Sequence, residues 1–118
     1  MSLFEEGSLL RIFIGESARY EGHVLYEWLV LQARKQGLAG ATVLRGRMGF
    51  GANSVIHTSK ILRLSEDLPI IVELVDTREK LKAYLAEVNS AIREGLATLE
   101  KADVRFYRGA RDQRKDVS

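Results

Sequence analysis

The hydrophobic periodicities along this 118-residue chain occur in an order that predicts an α+β domain of the ferredoxin-like plan, βαββαβ. That plan is an antiparallel sheet with two helices on one face, here with an extended hairpin between strands 2 and 3. Three observations carry the prediction. LLRIFI at 9–14 and IIVELV at 70–75 are short, apolar and bounded by turn residues, as strands are. The stretches 23–36 and 77–92 repeat apolar residues at spacings of three and four, as helices do. Five of the ten glycines fall between Gly37 and Gly51, in the segment that follows the second strand.

In the first strand, Leu10, Ile12 and Ile14 share one face and Leu9, Arg11 and Phe13 the other. Gly15 ends it, and ESARYEG reads as a turn. The helix over 23–36 places Leu25, Leu29 and Ala33 on one stripe, with Tyr26, Trp28 and Val30 beside it. Gly37 followed by Leu38 reads as a left-handed cap with its apolar contact. A strand over 41–44 runs into the glycine-rich segment, and 56–64 reads as the return arm of the hairpin. Pro69 holds Leu68 extended and marks the start of strand 70–75. Thr77 reads as an N-cap, Leu81, Tyr84, Leu85, Val88 and Ile92 as one helical stripe, and Gly95 as the close of that helix. LATLE and, past a turn at KAD, VRFYR make the last elements. The whole of 1–118 reads as one domain, with its core at about 9–107 and a polar tail over 108–118.

The strands are apolar on both faces. Leu9 and Phe13 share the helix-free face with Ile71 and Val75, and Arg11 and Glu73 pair there. Exposed apolar surface of that extent predicts that other subunits cover the face.

Composition excludes several classes of function. The chain has no cysteine, so disulfides, thiolate metal sites and cysteine nucleophiles are ruled out together. His23 and His57 are the only histidines, and their spacing makes no metal site. There is no nucleophile elbow, P-loop or paired-carboxylate spacing, and Gly46, Gly49 and Gly51 do not spell a dinucleotide-binding fingerprint; the chain reads as a non-enzyme. No segment approaches the ~20 apolar residues of a membrane span, and MSLFEEGS has acids where a signal peptide is basic. The expectation is a cytoplasmic protein without membrane insertion. From Trp28 to Ser65 there is no acid, and Arg34, Lys35, Arg45, Arg47, Lys60 and Arg63 give that block a charge of +6 within a chain of net +2. Basic, glycine-rich sequence is where backbone approaches an anion, and Arg47 can add charge-assisted bonds to one; a solubilising hairpin is the bland reading. His57 reads as a hydrogen-bonding residue at the mouth of the hairpin.

The fold plan also carries RNA-binding RRM domains, and RIFIGES and RMGFGA resemble their two signatures. Here the second follows the second strand rather than lying on the third, and Ala52 stands where the second stacking aromatic belongs. Nucleic acid is therefore argued against, with an RNA-binding ferredoxin-like domain kept as an alternative.

Gly40-Ala41-Thr42-Val43, Gly49-Phe50-Gly51 and His57-Thr58, in that order on the expected elements, resemble the PII-like (GlnB-like) superfamily, and within it an uncharacterised branch of short prokaryotic proteins. The resemblance covers residues 9–107. It implies a homotrimer that binds an adenine nucleotide between subunits and acts on a regulatory target protein through a mobile T-loop, the hairpin after the second strand. It further implies that Thr42 faces the adenine, that Gly49, Phe50 and Gly51 line the cleft, and that Arg105 and Arg108 are the late basic pair. The chain departs from PII proteins in lacking the glycine- and lysine-bearing B-loop, with only Gly95 and Lys101 in its place, and in having no tyrosine between Gly51 and Pro69 to be nucleotidylated. The reading is a PII-like sensor for an adenine nucleotide or related small anionic metabolite. The alternatives are a ligand-free protein-interaction module and the RNA-binding domain.

Overall fold

The computed structural model describes residues 6–51 and 67–110. Its elements are β1 (Gly7–Gly15), β2 (Arg19–Tyr20), β3 (His23–Val24), α1 (Leu25–Lys35), β4 (Thr42–Arg45), β5 (Pro69–Thr77), α2 (Arg78–Val88) and β6 (Leu96–Ala102), with a 3-10 turn at Asn89–Ala91. The main sheet is antiparallel in the order β4-β5-β1-β6. That is the predicted α+β plan.

The two long central strands alternate strictly between buried and half-buried side chains over their apolar stretches. Leu10, Ile12 and Ile14 of β1 and Ile70, Val72 and Leu74 of β5 form one wall of the core. Leu25, Leu29 and Ala33 of α1 and Leu81, Tyr84 and Val88 of α2 form the other. Tyr84 is fully buried, and its hydroxyl donates to the Leu29 carbonyl at 2.8 Å, tying the two helices together.

Both predicted caps are present. Gly37 has φ 74°, with Leu38 N–H donating to the Ala33 carbonyl and Gly37 N–H to the Arg34 carbonyl, each at 3.1 Å. Thr77 Oγ1 accepts from the Lys80 N–H at 3.3 Å and opens α2.

Four details differ from the sequence expectation. ESARYEG is not only a turn: Glu21 (φ 47°) and Gly22 (φ 82°) form the centre of a small hairpin pairing β2 with β3. Helix α1 consequently begins at Leu25 rather than His23. Helix α2 stops at Val88, yet Ile92 still packs on the core from extended backbone, which is why the apolar spacing ran past the helix end. Gly95 is not a cap. A Cβ there would lie 2.6 Å from the Phe13 carbonyl oxygen, so glycine is required by close passage over β1. Gly95→Ala is expected to lower stability by about 1 to 3 kcal/mol in urea unfolding, with no change at all contradicting the close approach. Finally, β6 continues through Lys101 and Ala102 because β1 offers partners as far as Gly7, opposite Ala102, while VRFYR beyond it has no strand to pair with and is irregular.

The predicted return arm at 56–64 lies outside the described residues. The base of the hairpin is described. Gly46 N–H donates to the Pro69 carbonyl at 2.7 Å, Glu16 N–H to the Leu68 carbonyl at 2.8 Å, and Ser17 N–H to Asp67 Oδ1 at 2.9 Å. Both ends of the hairpin are thereby fastened, one to the sheet and the other to the turn after β1.

Candidate functional site

Strand register sorts the helix-free face into rows. One row is apolar across all four strands: Leu44, Ile71, Phe13 and Leu96. The next is Thr42, Glu73, Arg11 and Thr98. The third brings Val75 beside Leu9 and Glu100. The predicted Arg11–Glu73 pair is present at 2.9 Å, and Arg11 also reaches Glu100 at 2.7 Å. The hydrogen bond to Glu73, with help from Glu100, raises the Arg11 pKa above its ordinary value. Leu44 and Leu96, at the two ends of the apolar row, are exposed, at 45% and 59%.

Over the third row lies a hollow of about 490 Å³. Its floor is Leu9, Val75 and Glu73; one wall is Ala39, Gly40 and Thr42, and the other is the segment from Ala102 to Tyr107. The first wall is held from beneath. Asp76, 5% exposed, accepts the Ala39 N–H through Oδ2 at 2.8 Å and the Thr77 N–H through Oδ1 at 2.7 Å. Lys80 Nζ adds a bond to the Gly37 carbonyl at 3.3 Å. The second wall closes on the first where the Tyr107 hydroxyl donates to the Ala39 carbonyl at 2.7 Å.

Charge in the hollow is largely cancelled. Glu73 is paired with Arg11, and Arg105 with Asp103 at 3.0 Å. An apolar floor with a threonine hydroxyl, a carboxylate edge and strand-end backbone suits a flat, uncharged, hydrogen-bonding group better than a polyphosphate.

The predicted site residues fall into two places. Thr42 and Arg105 line the hollow, and Arg108 adjoins it with its guanidinium 4.6 Å above the Phe106 ring. Arg47, Gly49, Phe50 and Gly51 lie past the other end of β4, where a Cβ on Gly49 would sit 3.0 Å from the Pro69 ring. Thr42 and Arg45 alone are separated by three strand rises, about 10 Å. A single chain therefore does not bring the two groups together. His57 lies outside the described residues.

The basic block is also dispersed. Arg34 and Lys35 occupy the last turn of α1, and Arg45 is paired with Glu16 at 3.0 Å; Lys60 and Arg63 lie outside the described residues. Sequence reasoning missed Asp76 and Tyr107. The first left a signal, because it continues the buried phase of Ile70, Val72 and Leu74, where a carboxylate needs internal donors. Among the described residues there is no cluster of three His, Asp or Glu that could hold a metal, and no helix is long and apolar enough to cross a membrane.

Residues 7–104 match the family DUF190, described as Uncharacterized ACR, COG1993. A UPF0166 protein of Aquifex aeolicus (strain VF5) is 41% identical over 96 residues, covering 81% of this chain and 90% of the relative. Among solved structures, CPII from Thiomonas intermedia K12, a nitrogen regulatory PII-like protein bound to ADP, AMP and bicarbonate, superimposes with a TM-score of 0.60 at 13% identity, over 82% of this chain and 86% of that one. A putative PII-like signalling protein from Thermus thermophilus gives 0.55 at 18% identity, over 83% and 88%.

Proposed function

The chain belongs to the DUF190 family and has the fold of PII-like proteins, and from that premise we propose that it is a non-enzymatic signalling protein that binds an adenine nucleotide between copies of itself. The observation that carries this reading is the division of the site. An uncharged hollow lies at one end of β4 and a basic, glycine-rich hairpin base at the other, and the apolar row beside them has no covering partner among the described residues. In a homotrimer, the base of the nucleotide sits on Leu9 and Val75, with Thr42 and Glu73 offering polar groups to its edge. The phosphates run toward Arg105 and Arg108 and meet Arg47, His57 and the backbone of Gly49, Phe50 and Gly51 from a neighbouring copy. The hairpin then carries the bound state to a regulatory target protein in the cytoplasm. The binding of ADP and AMP by CPII supports the choice of ligand.

Titration calorimetry with ADP, AMP and their guanine counterparts tests the proposal. Adenine nucleotides are expected to bind in preference to guanine ones. Arg47→Ala should weaken ADP roughly 10- to 100-fold through loss of a charge-assisted contact. If neither base binds, the ligand-free interaction module replaces this reading. The RNA-binding alternative is weaker, because the helix-free face of the two central strands presents Phe13 as its only aromatic ring.

A further inference from the structure

We propose that the segment after β6 is a hinged strap that opens and closes the hollow, with the Tyr107 hydroxyl on the Ala39 carbonyl as its latch. The proposal takes the hollow as the seat of the ligand, and it rests on an asymmetry between the two walls. The Ala39 wall is built into the domain: its N–H is bound by a buried carboxylate on β5, and the preceding Gly37 is a helix cap with Lys80 on its carbonyl. The facing wall is built differently. Residues 103–109 have no regular secondary structure, and Phe106 and Tyr107 are exposed at 65% and 54%. Arg105–Asp103 and Arg108–Phe106 are contacts within the segment and do not hold it to the sheet. The Tyr107 bond spans 68 positions of sequence and joins the free-running wall to the fixed one across the mouth of the hollow.

A strap held by one neutral hydrogen bond opens often. Removing that bond should raise the open population roughly three- to ten-fold, the range expected for a single intramolecular hydrogen bond. A ligand in the hollow would hold the strap down, because the same residues form the wall it would contact. Binding and latching would then reinforce each other.

The absence of cysteine makes a direct test available. Val75→Cys places a thiol on the floor of the hollow, and Glu79→Cys, exposed on α2, serves as the control. Labelling of Cys-free background, floor and control variants with N-ethylmaleimide is followed by mass spectrometry, each with and without Tyr107→Phe. The expected result is a three- to ten-fold faster reaction at the floor when Tyr107 is replaced, roughly the effect of one lost hydrogen bond, with the control unchanged. Hydrogen exchange over 103–107 should accelerate in the same variant. Equal floor labelling and equal exchange with tyrosine and phenylalanine would overturn the strap. These readouts need no ligand. A parallel arm with saturating ADP asks separately whether nucleotide slows floor labelling, so failure of the nucleotide reading and failure of the latch give different results.

Discussion

Replacing Phe13 with aspartate is expected to dissociate the oligomer, or to precipitate it, while leaving each chain's core intact. Phe13 sits in the middle of the apolar row, opposite Ile71 on one side and Leu96 on the other. Its side chain points away from the buried residues Ile12 and Ile14 and contributes little to the internal core. A carboxylate at that position in a contact between copies loses its hydration and gains no partner. Several kcal/mol follow, so the dissociation constant should rise by roughly a thousandfold or more. Sedimentation of wild type and variant at micromolar concentration reads this directly. Leu31→Asp is the matched control, because Leu31 is exposed on α1, away from the sheet face. A wild-type protein that already sediments at 13.3 kDa would contradict the prediction.

Tyr84→Ala should come close to unfolding the domain. The side chain is fully buried between the helices and the sheet, and its removal leaves both a cavity and an unanswered Leu29 carbonyl. Aromatic truncations of this kind cost about 3 to 5 kcal/mol, a large part of the roughly 5 to 15 kcal/mol that holds a typical domain. Tyr84→Phe is milder, about 1 kcal/mol, and separates the hydrogen bond from the packing. It also carries a pH signature. Burial raises the Tyr84 phenol above its ordinary value of 10.0. The unfolded chain therefore loses this proton first as pH rises. The contribution is complete below about pH 10 and is lost progressively above it, so stability falls in alkali. Urea unfolding at neutral pH and again about one unit above the ordinary phenol value should show a smaller alkaline loss for Tyr84→Phe than for wild type.

What the sequence made legible was whatever depends on local spacing. The alternation around Ile12 and Val72, the cap pair Gly37-Leu38 and the Thr77 cap each follow from a few neighbouring residues. Register extended that reading once: Arg11 and Glu73 were assigned to one face from alternation alone, and they pair. Long-range facts were not legible. Gly95 looks like any helix-ending glycine until the sheet brings the Phe13 carbonyl within 2.6 Å of where its Cβ would be. The KAD segment reads as a turn unless one knows that β1 extends back to Gly7 and gives β6 more to pair with. The candidate site suffered most. The glycines and arginines that share a composition window are separated by folding into a helix end, a paired edge strand and a hairpin base. The hollow is instead assembled from Leu9, Val75 and Tyr107, residues far apart in sequence.

The claim on which the account turns is that one chain supplies the hollow and another the hairpin base. Subunit mixing tests it most directly. Val75→Phe fills the hollow and leaves the hairpin base untouched. Arg47→Ala with Gly51→Val impairs the hairpin base and leaves the hollow untouched; a Cβ at Gly51 meets nothing within 4 Å of its own chain. Each variant alone should bind little ADP. Co-refolded one to one, they should recover roughly a quarter of the wild-type sites, the fraction of neighbouring pairs in a closed ring that join an intact hollow to an intact hairpin base. Recovery near that fraction is the predicted result. Two variants that each fail alone and still bind nothing when mixed would place the whole site within one chain and contradict the account.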